Sequence, residues 1–352
     1  MERVITAFAP HTRRYLYVGG EYSRQGSSAI SHGQMYVEHL VPVEVTKQHP
    51  LLFIHGDGMS GTNFLNTPEG KPGWADFFMR QGYEVYIVDQ PARARSPWQS
   101  TLDGNTSTFD TYMIESHFTA TQYYKLWPHA ELHTQWPGNG SRGDPIFDAF
   151  YRSTLPRLTS AVETSRLMKT AGSKLLDTIG KPVILFTHSQ SGQFGWILAD
   201  SRPNHIHSIV ALEPIGPPFQ NAVFGTDPAR PFGLTEIPVQ FSPPIQSPQD
   251  LGPLVAIDHG PNYTCLLQHS PARQLTNVSK VPVFMVTSES GYHSVYDGCT
   301  VQFLRDAGVD VLHLRLEDLG IKGNGHMMFM EKNSEEIADV VLGWISSGKV
   351  NA

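Results

Sequence analysis

The run Val183-Ile-Leu-Phe-Thr-His-Ser189-Gln-Ser-Gly192 places a serine in a sharp turn between an apolar, strand-like segment and a helix-forming one. Such a turn lifts a hydroxyl off a sheet beside a helix N-terminus, where it can attack a carbonyl carbon. Chain segments crowd there, so the residues two before and two after the nucleophile must be small. For Ser189 these are Thr187 and Ser191, which fit although the usual glycines are missing. For Ser191 they would be Ser189 and Gln193, and Gln193 is too bulky. Ser189 is the candidate nucleophile; the bland alternative is a surface turn after any α/β strand.

A serine hydroxyl is a weak nucleophile until a base takes its proton. Among 16 histidines, His326 stands out by position alone, in the glycine-flanked stretch Gly323-Asn-Gly-His326-Met-Met between the last expected strand and the last helix. An acid must orient the imidazole, and two follow strand ends: Glu213 in Ala-Leu-Glu-Pro and Glu289 in Thr-Ser-Glu-Ser. The commonest order favours the later one, Glu289, but either strand end could reach. A tetrahedral oxyanion also needs two preorganised N–H donors. The backbone amides of Gln190 and of Asp57, in Leu51-Leu-Phe-Ile-His55-Gly-Asp-Gly58, are the candidates. An aspartate beside developing negative charge is unfavourable, so its side chain is expected to point away or be neutralised. Neither a Gly-x-Gly-x-x-Gly turn nor a P-loop lysine is present to bind phosphate.

The elements that must position these groups follow from periodicity. Arg14–Val18 and Gln34–Val41 alternate apolar and polar residues and are expected to pair antiparallel, with Gly19-Gly20 just beyond the first. Short apolar runs at Leu51–Ile54, Val85–Val88, Val183–Phe186, Ser208–Leu212, Val283–Val286 and Val311–Leu316 are expected as strands of a mostly parallel sheet covered by helices on both faces. Helices are expected over Trp74–Gln81, within Thr159–Thr178, after Gly192 and over Ser334–Ser347. The aromatic-rich residues 97–158 and the proline-rich residues 214–261 break this alternation and are expected to form a composite cap, leaving 1–96, 159–213 and 262–352 as the core. Both segments follow carboxyl ends of strands, the ligand-binding side of such sheets.

The 352 residues are 40% hydrophobic, enough for a large core, and carry a net charge of −7 without a basic block. Nucleic-acid binding needs phosphate-neutralising charge, so it is excluded as a function class. No apolar run approaches the ~20 residues of a membrane span. Two cysteines, Cys265 and Cys299, supply neither a disulfide scaffold nor a cysteine zinc site. His129 and His133 lie four apart but lack a third ligand, so no metal and no cofactor is expected. Met1–Ile30 carries arginines without an apolar h-region, and from this a cytoplasmic enzyme is expected, its four Asn-x-Ser/Thr sequons at Asn105, Asn139, Asn262 and Asn277 left unglycosylated.

His55-Gly, Gly73-Trp74, Val88-Asp89-Gln90, Arg93-x-Arg95-Ser96, Thr187-His-Ser189, Leu212-Glu213-Pro214 and Gly323-Asn-x-His326-Met-Met jointly resemble the bacterial esterase 713-like family of α/β hydrolases. The resemblance runs from about residue 50 to the C-terminal helix. It implies an α/β-hydrolase fold, Ser189 as nucleophile, His326 as base and, from the earlier strand, Glu213 as acid. The sequence departs from the pattern at Asp57-Gly58, where family members can carry adjacent cysteines, and near Arg93, where Ala92 or Ala94 replaces a glycine. The expected activity is hydrolysis of a moderately apolar carboxylic ester or lactone through an acyl-enzyme. The rivals are the same triad applied to C–C cleavage, acyl transfer or cyclisation, and a non-catalytic ligand binder on this scaffold. Substrate-pocket candidates are His55, Gly58, Tyr123, Trp127 and Met327. Arg93 and Arg95 either bind an acidic group near the mouth or pair with carboxylates such as Asp89. The partner expected is a small-molecule substrate, with no nucleic acid or membrane; a homodimer is one option for its assembly.

Overall fold

A computed structural model of the chain describes residues 8–258 and 263–347. Its frame is an eight-stranded sheet: β1 His11–Gln25, β2 Ser28–Pro42, β3 Leu51–Ile54, β4 Val85–Asp89, β5 Val183–Ser189, β6 Ile206–Pro214, β7 Val283–Thr287 and β8 Val311–Arg315. They lie in the order β1-β2-β4-β3-β5-β6-β7-β8. Only β1 against β2 and β2 against β4 run antiparallel. The helices of the core are α1 Trp74–Arg80, α2 Ala161–Ile179, α3 Gly192–Ser201, α4 Asp297–Asp306 and α5 Ser334–Ser346. In the pairs of neighbours, α2 packs on α3 and α1 on α5.

Every residue of β3 and β4 is buried, which is why these strands read as unbroken apolar runs rather than alternations. Phe53 packs on Phe186 across the sheet at 4.5 Å between ring centroids and on Phe64 at 4.8 Å. Phe64 stacks on Phe329 at 4.9 Å, and Trp74 meets Phe329 edge-on at 6.2 Å. Such pairs contribute about 0.5–1.5 kcal/mol each beyond the area they bury. Here they clamp the chain just after His326 onto the sheet.

The first strand is longer than expected. It runs through Gly19-Gly20 instead of stopping there, and the register passes from Gly19↔Gln34 to Glu21↔His32. Both glycines have positive φ, and a Cβ on Gly19 would lie 2.8 Å from the Ala171 Cα of α2. These glycines mark a kink where a helix approaches closely, not a strand end.

Residues 97–158 and 214–258 hold only short elements, among them Thr111–Ile114, Pro145–Tyr151 and Leu254–Asp258, which forms a two-stranded ribbon with Thr264–Gln268 beyond the second segment. The end of the expected second segment, 259–261, and the Asn262 sequon lie outside the described residues. Cys265, on that ribbon, is disulfide-bonded to Cys299 on α4. Sequence spacing had offered no ground for this pairing. No described helix is long and apolar enough to cross a membrane.

Candidate active site

Ser189 ends β5 with φ at +56°. A left-handed backbone at a non-glycine residue is uncommon and stores strain that clusters at functional positions. The neighbourhood explains why small residues are required. A Cβ on Gly192 would lie 2.3 Å from the Pro214 Cβ, and one on Gly56 would lie 3.1 Å from the Ser189 Cβ. Ser191 is fully buried, its hydroxyl receiving the His188 N–H at 2.8 Å and lying 2.8 Å from Ile54 O and 2.9 Å from His188 O. It ties the turn to β3.

His326 stands opposite. Its Nδ1 is 2.5 Å from Glu213 Oε2, and both side chains are buried. The other carboxylate oxygen of Glu213 accepts the Ser288 N–H at 2.8 Å and the Ser288 hydroxyl at 2.5 Å. Burial, then His293, holds His326 well below the ordinary imidazole range, so the ring rests neutral. Burial pushes the Glu213 carboxyl up, against the charge of His293 and the Ser288 hydrogen bonds. Glu289 does not reach the imidazole; its Oε2 accepts the Gly323 N–H at 2.8 Å. It therefore holds the loop that carries His326.

That loop is pinned from several sides. Glu331 accepts the Gly325 N–H at 3.0 Å and the Asn324 side-chain amide at 2.7 Å. His133 Nε2 lies 2.7 Å from the same carboxylate. His129 is exposed in a left-handed turn, so the His129/His133 pair does not converge. His188, which sequence reasoning passed over, meets the His326 carbonyl through Nε2 at 2.9 Å. Burial and the neighbouring His326 keep His188 neutral.

Asp57 is neutralised where it sits. Arg93 Nη2 lies 3.2 Å from its Oδ1, and Arg157 Nε lies 3.1 Å from its Oδ2. Arg93 is buried and also contacts Gly56 O at 3.2 Å and Gln190 Oε1 at 3.5 Å. One guanidinium thus touches both segments that bear the candidate oxyanion amides. Arg95 pairs instead with Asp89 at 2.6 Å and Glu38 at 2.5 Å, away from any mouth.

Ser189, Gln190, Asp57 and Gly58 line a cavity of about 370 Å³. Phe109, Met113 and Phe118 line it from residues 97–158, and Ile215, Ala222 and Phe224 from residues 214–258. Four of the expected pocket residues are elsewhere. His55 is buried beneath the turn, its Nδ1 2.8 Å from Gly56 O and its Nε2 accepting the Gln90 N–H; burial and Arg93 lower it to about 4. Met327 is wholly buried in the core. Tyr123 is 67% exposed on the outer surface. Trp127 is buried behind the cavity wall and donates its indole N–H to Ser290 O at 3.0 Å. Type and segment were legible for these residues, but the direction each side chain faces is a tertiary property.

Tyr292 is the site residue that sequence reasoning missed. It is buried, lines the cavity, and its hydroxyl lies 3.2 Å from His326 Nε2. Ser189 lines the same cavity. The only sequence signal for Tyr292 was its place three residues after Glu289. Behind His326 a second imidazole, His293, stacks in parallel at 4.8 Å between centroids, and its Nδ1 lies 2.9 Å from Asp297 Oδ1. Glu213, His293 and His326 form the one group among the described residues with metal-ligand spacing. Their facing atoms are already engaged: His326 Nδ1 with Glu213, and His293 with Asp297 and the Tyr296 hydroxyl.

No family model matches the chain. It is 44% identical over 333 residues to the probable secreted lipase phiG of a fungal species (strain ATCC 74256), covering 94% of this chain and 88% of that protein. Among solved structures, a novel bacterial esterase superposes with a TM-score of 0.63 at 21% identity, covering 99% of both chains. The fold is that of the α/β hydrolases, as the sequence analysis expected. The cytoplasmic location expected from Met1–Ile30 is corrected by the fungal relative, which is named as secreted. Residues 1–7 of that stretch lie outside the described residues. The Cys265–Cys299 disulfide agrees with the correction, since disulfides persist in oxidising compartments.

Proposed function

The chain belongs to the family of that lipase-named fungal protein, an ester-hydrolase family on the α/β-hydrolase fold, and from this premise we propose a secreted serine esterase with Ser189, His326 and Glu213 as its triad. The esterase 713-like group is the finer relationship we favour within the fold. Neutral His326 takes the Ser189 proton through Nε2 as the hydroxyl oxygen attacks the ester carbonyl. Glu213, bonded to Nδ1, holds the tautomer in which Nε2 is bare and steadies the imidazolium that forms. The Gln190 and Asp57 amides receive the oxyanion, and the Arg93 and Arg157 pairings keep the Asp57 carboxylate from opposing it. Collapse of the intermediate releases the alcohol, and water resolves the acyl-enzyme. We read residues 97–158 and 214–258 as the cap over this site.

The observation that carries this reading is the 2.5 Å contact between His326 Nδ1 and Glu213 Oε2 in a buried pair. The cavity's aromatic and aliphatic walls suit a moderately apolar ester or lactone. The test is labelling with a fluorophosphonate probe followed by peptide mapping, alongside turnover of p-nitrophenyl esters and lactones. The expected outcome is a single adduct on Ser189 and measurable hydrolysis. An adduct elsewhere, or none in a folded protein, overturns the reading.

A further inference from the structure

The hydroxyl of Tyr292 occupies the reacting edge of the candidate base. It lies 3.2 Å from His326 Nε2, the nitrogen opposite the one that Glu213 holds, and it shares the cavity lining with Ser189. A side chain whose only task was packing would not need its polar atom at that point. The ring is gripped on its edges and faces by Phe224 at 4.8 Å, Trp127 at 5.9 Å and Phe118 at 6.0 Å between centroids, each steeply inclined. Trp127 is itself tied to Ser290, two residues before Tyr292. The hydroxyl is therefore fixed in place rather than swinging in the cavity. Burial and nearby Glu213 push its ionisation well above the ordinary phenol range, so it remains a proton donor at neutral pH.

Resting on the esterase reading above, we propose that Tyr292 is a catalytic residue that relays the imidazolium proton to the leaving alcohol, and that the natural substrates are esters of alkyl alcohols rather than of activated phenols. After Ser189 has attacked, the proton it lost sits on His326 Nε2. The Nε2–H bond breaks and that proton passes to the Tyr292 oxygen, while the Tyr292 O–H proton passes to the ester oxygen. The C–O bond breaks with its electron pair going to that oxygen, and the carbonyl re-forms on the acyl-enzyme. His326 returns to neutral, Tyr292 regains its proton, and a neutral alcohol departs. An alkyl alkoxide is a poor leaving group and needs this proton as the bond breaks. A p-nitrophenolate leaves without it, so the relay matters for one class and little for the other.

The test compares Tyr292→Phe with wild type on two esters of one acyl chain, an ethyl ester and a p-nitrophenyl ester. Phenylalanine keeps the ring packing, and an unchanged melting temperature checks this. Positioned proton transfer contributes about 10²–10⁴-fold, and the expected result is a fall in kcat for the ethyl ester at least about ten times larger than the fall for the p-nitrophenyl ester. Equal losses on both esters, or no loss on either, overturn the relay. Failure of wild type to take up a fluorophosphonate on Ser189 would instead sink the esterase reading on which it rests.

Discussion

Arg93 and Asp57 form a buried-to-cavity ion pair, with Nη2 3.2 Å from Oδ1, beside the amides assigned to the oxyanion. An unpaired carboxylate there would oppose the negative charge that develops on the substrate oxygen. Arg93→Met leaves Asp57 with Arg157 alone and loosens Gly56 and Gln190. The expected effect is a kcat lower by about 10- to 100-fold, short of the ~10²–10³ seen when an oxyanion donor is removed outright. Adding Asp57→Asn in the same molecule should recover part of the loss in steady-state assays. A double variant worse than the single one would count against the charge argument.

Glu213 and Glu289 separate the two candidate acids by function. Glu213→Gln leaves the carboxamide to bond Nδ1 in the wrong sense and should lower kcat by up to ~10⁴-fold. Glu289→Gln still presents an oxygen to the Gly323 N–H and should lose only a few-fold. Steady-state kinetics on one p-nitrophenyl ester decides between them, and the reverse ranking would move the acid to the later strand.

The pH dependence follows from burial of the base. The proposed attack requires a neutral His326, and its folded-state ionisation lies well below 6.5. Lowering the pH leaves the ring neutral through 6.5 and protonates it only further down. The acid limb of kcat/KM should therefore have its midpoint below pH 6.5, measured from initial rates across a buffer series. A midpoint above 6.5 would mean that a nearby negative charge outweighs desolvation.

Ser191 is expected to matter for stability and not for chemistry. Ser191→Ala removes a buried hydroxyl that joins the turn to β3 and leaves the His188 N–H without its acceptor. The cost is about 1–3 kcal/mol, read as a lower denaturation midpoint, with fluorophosphonate labelling of Ser189 retained.

The Cys265–Cys299 bond closes a 34-residue separation between the ribbon and α4. Replacing both cysteines by serine should cost about 2–4 kcal/mol, and thiol titration of the unreduced, unfolded wild type should find no free thiol. Two free thiols would instead overturn the pairing.

The sequence by itself determined the order of the sheet strands and of four core helices, because a fully buried strand or an amphipathic helix writes its period locally; the helix Asp297–Asp306 was not read from it. It also singled out Ser189, since the bulk of Gln193 acts within a few residues of the turn. What lay beyond it were contacts between distant segments. The candidate acid is one such case: Glu213 and Glu289 both follow strand ends, the family resemblance alone favoured Glu213, and the packing brings Glu213, 113 positions away, onto His326. Strand order decides it, and strand order is a tertiary property. The pairing of Cys265 with Cys299 and the neutralising of Asp57 by Arg157 have the same character. Tyr292 shows the limit most plainly. Nothing in Ser-Gly-Tyr-His announces a hydroxyl at the His326 imidazole, because that placement comes from Phe118, Trp127 and Phe224 closing on the ring from two other parts of the chain.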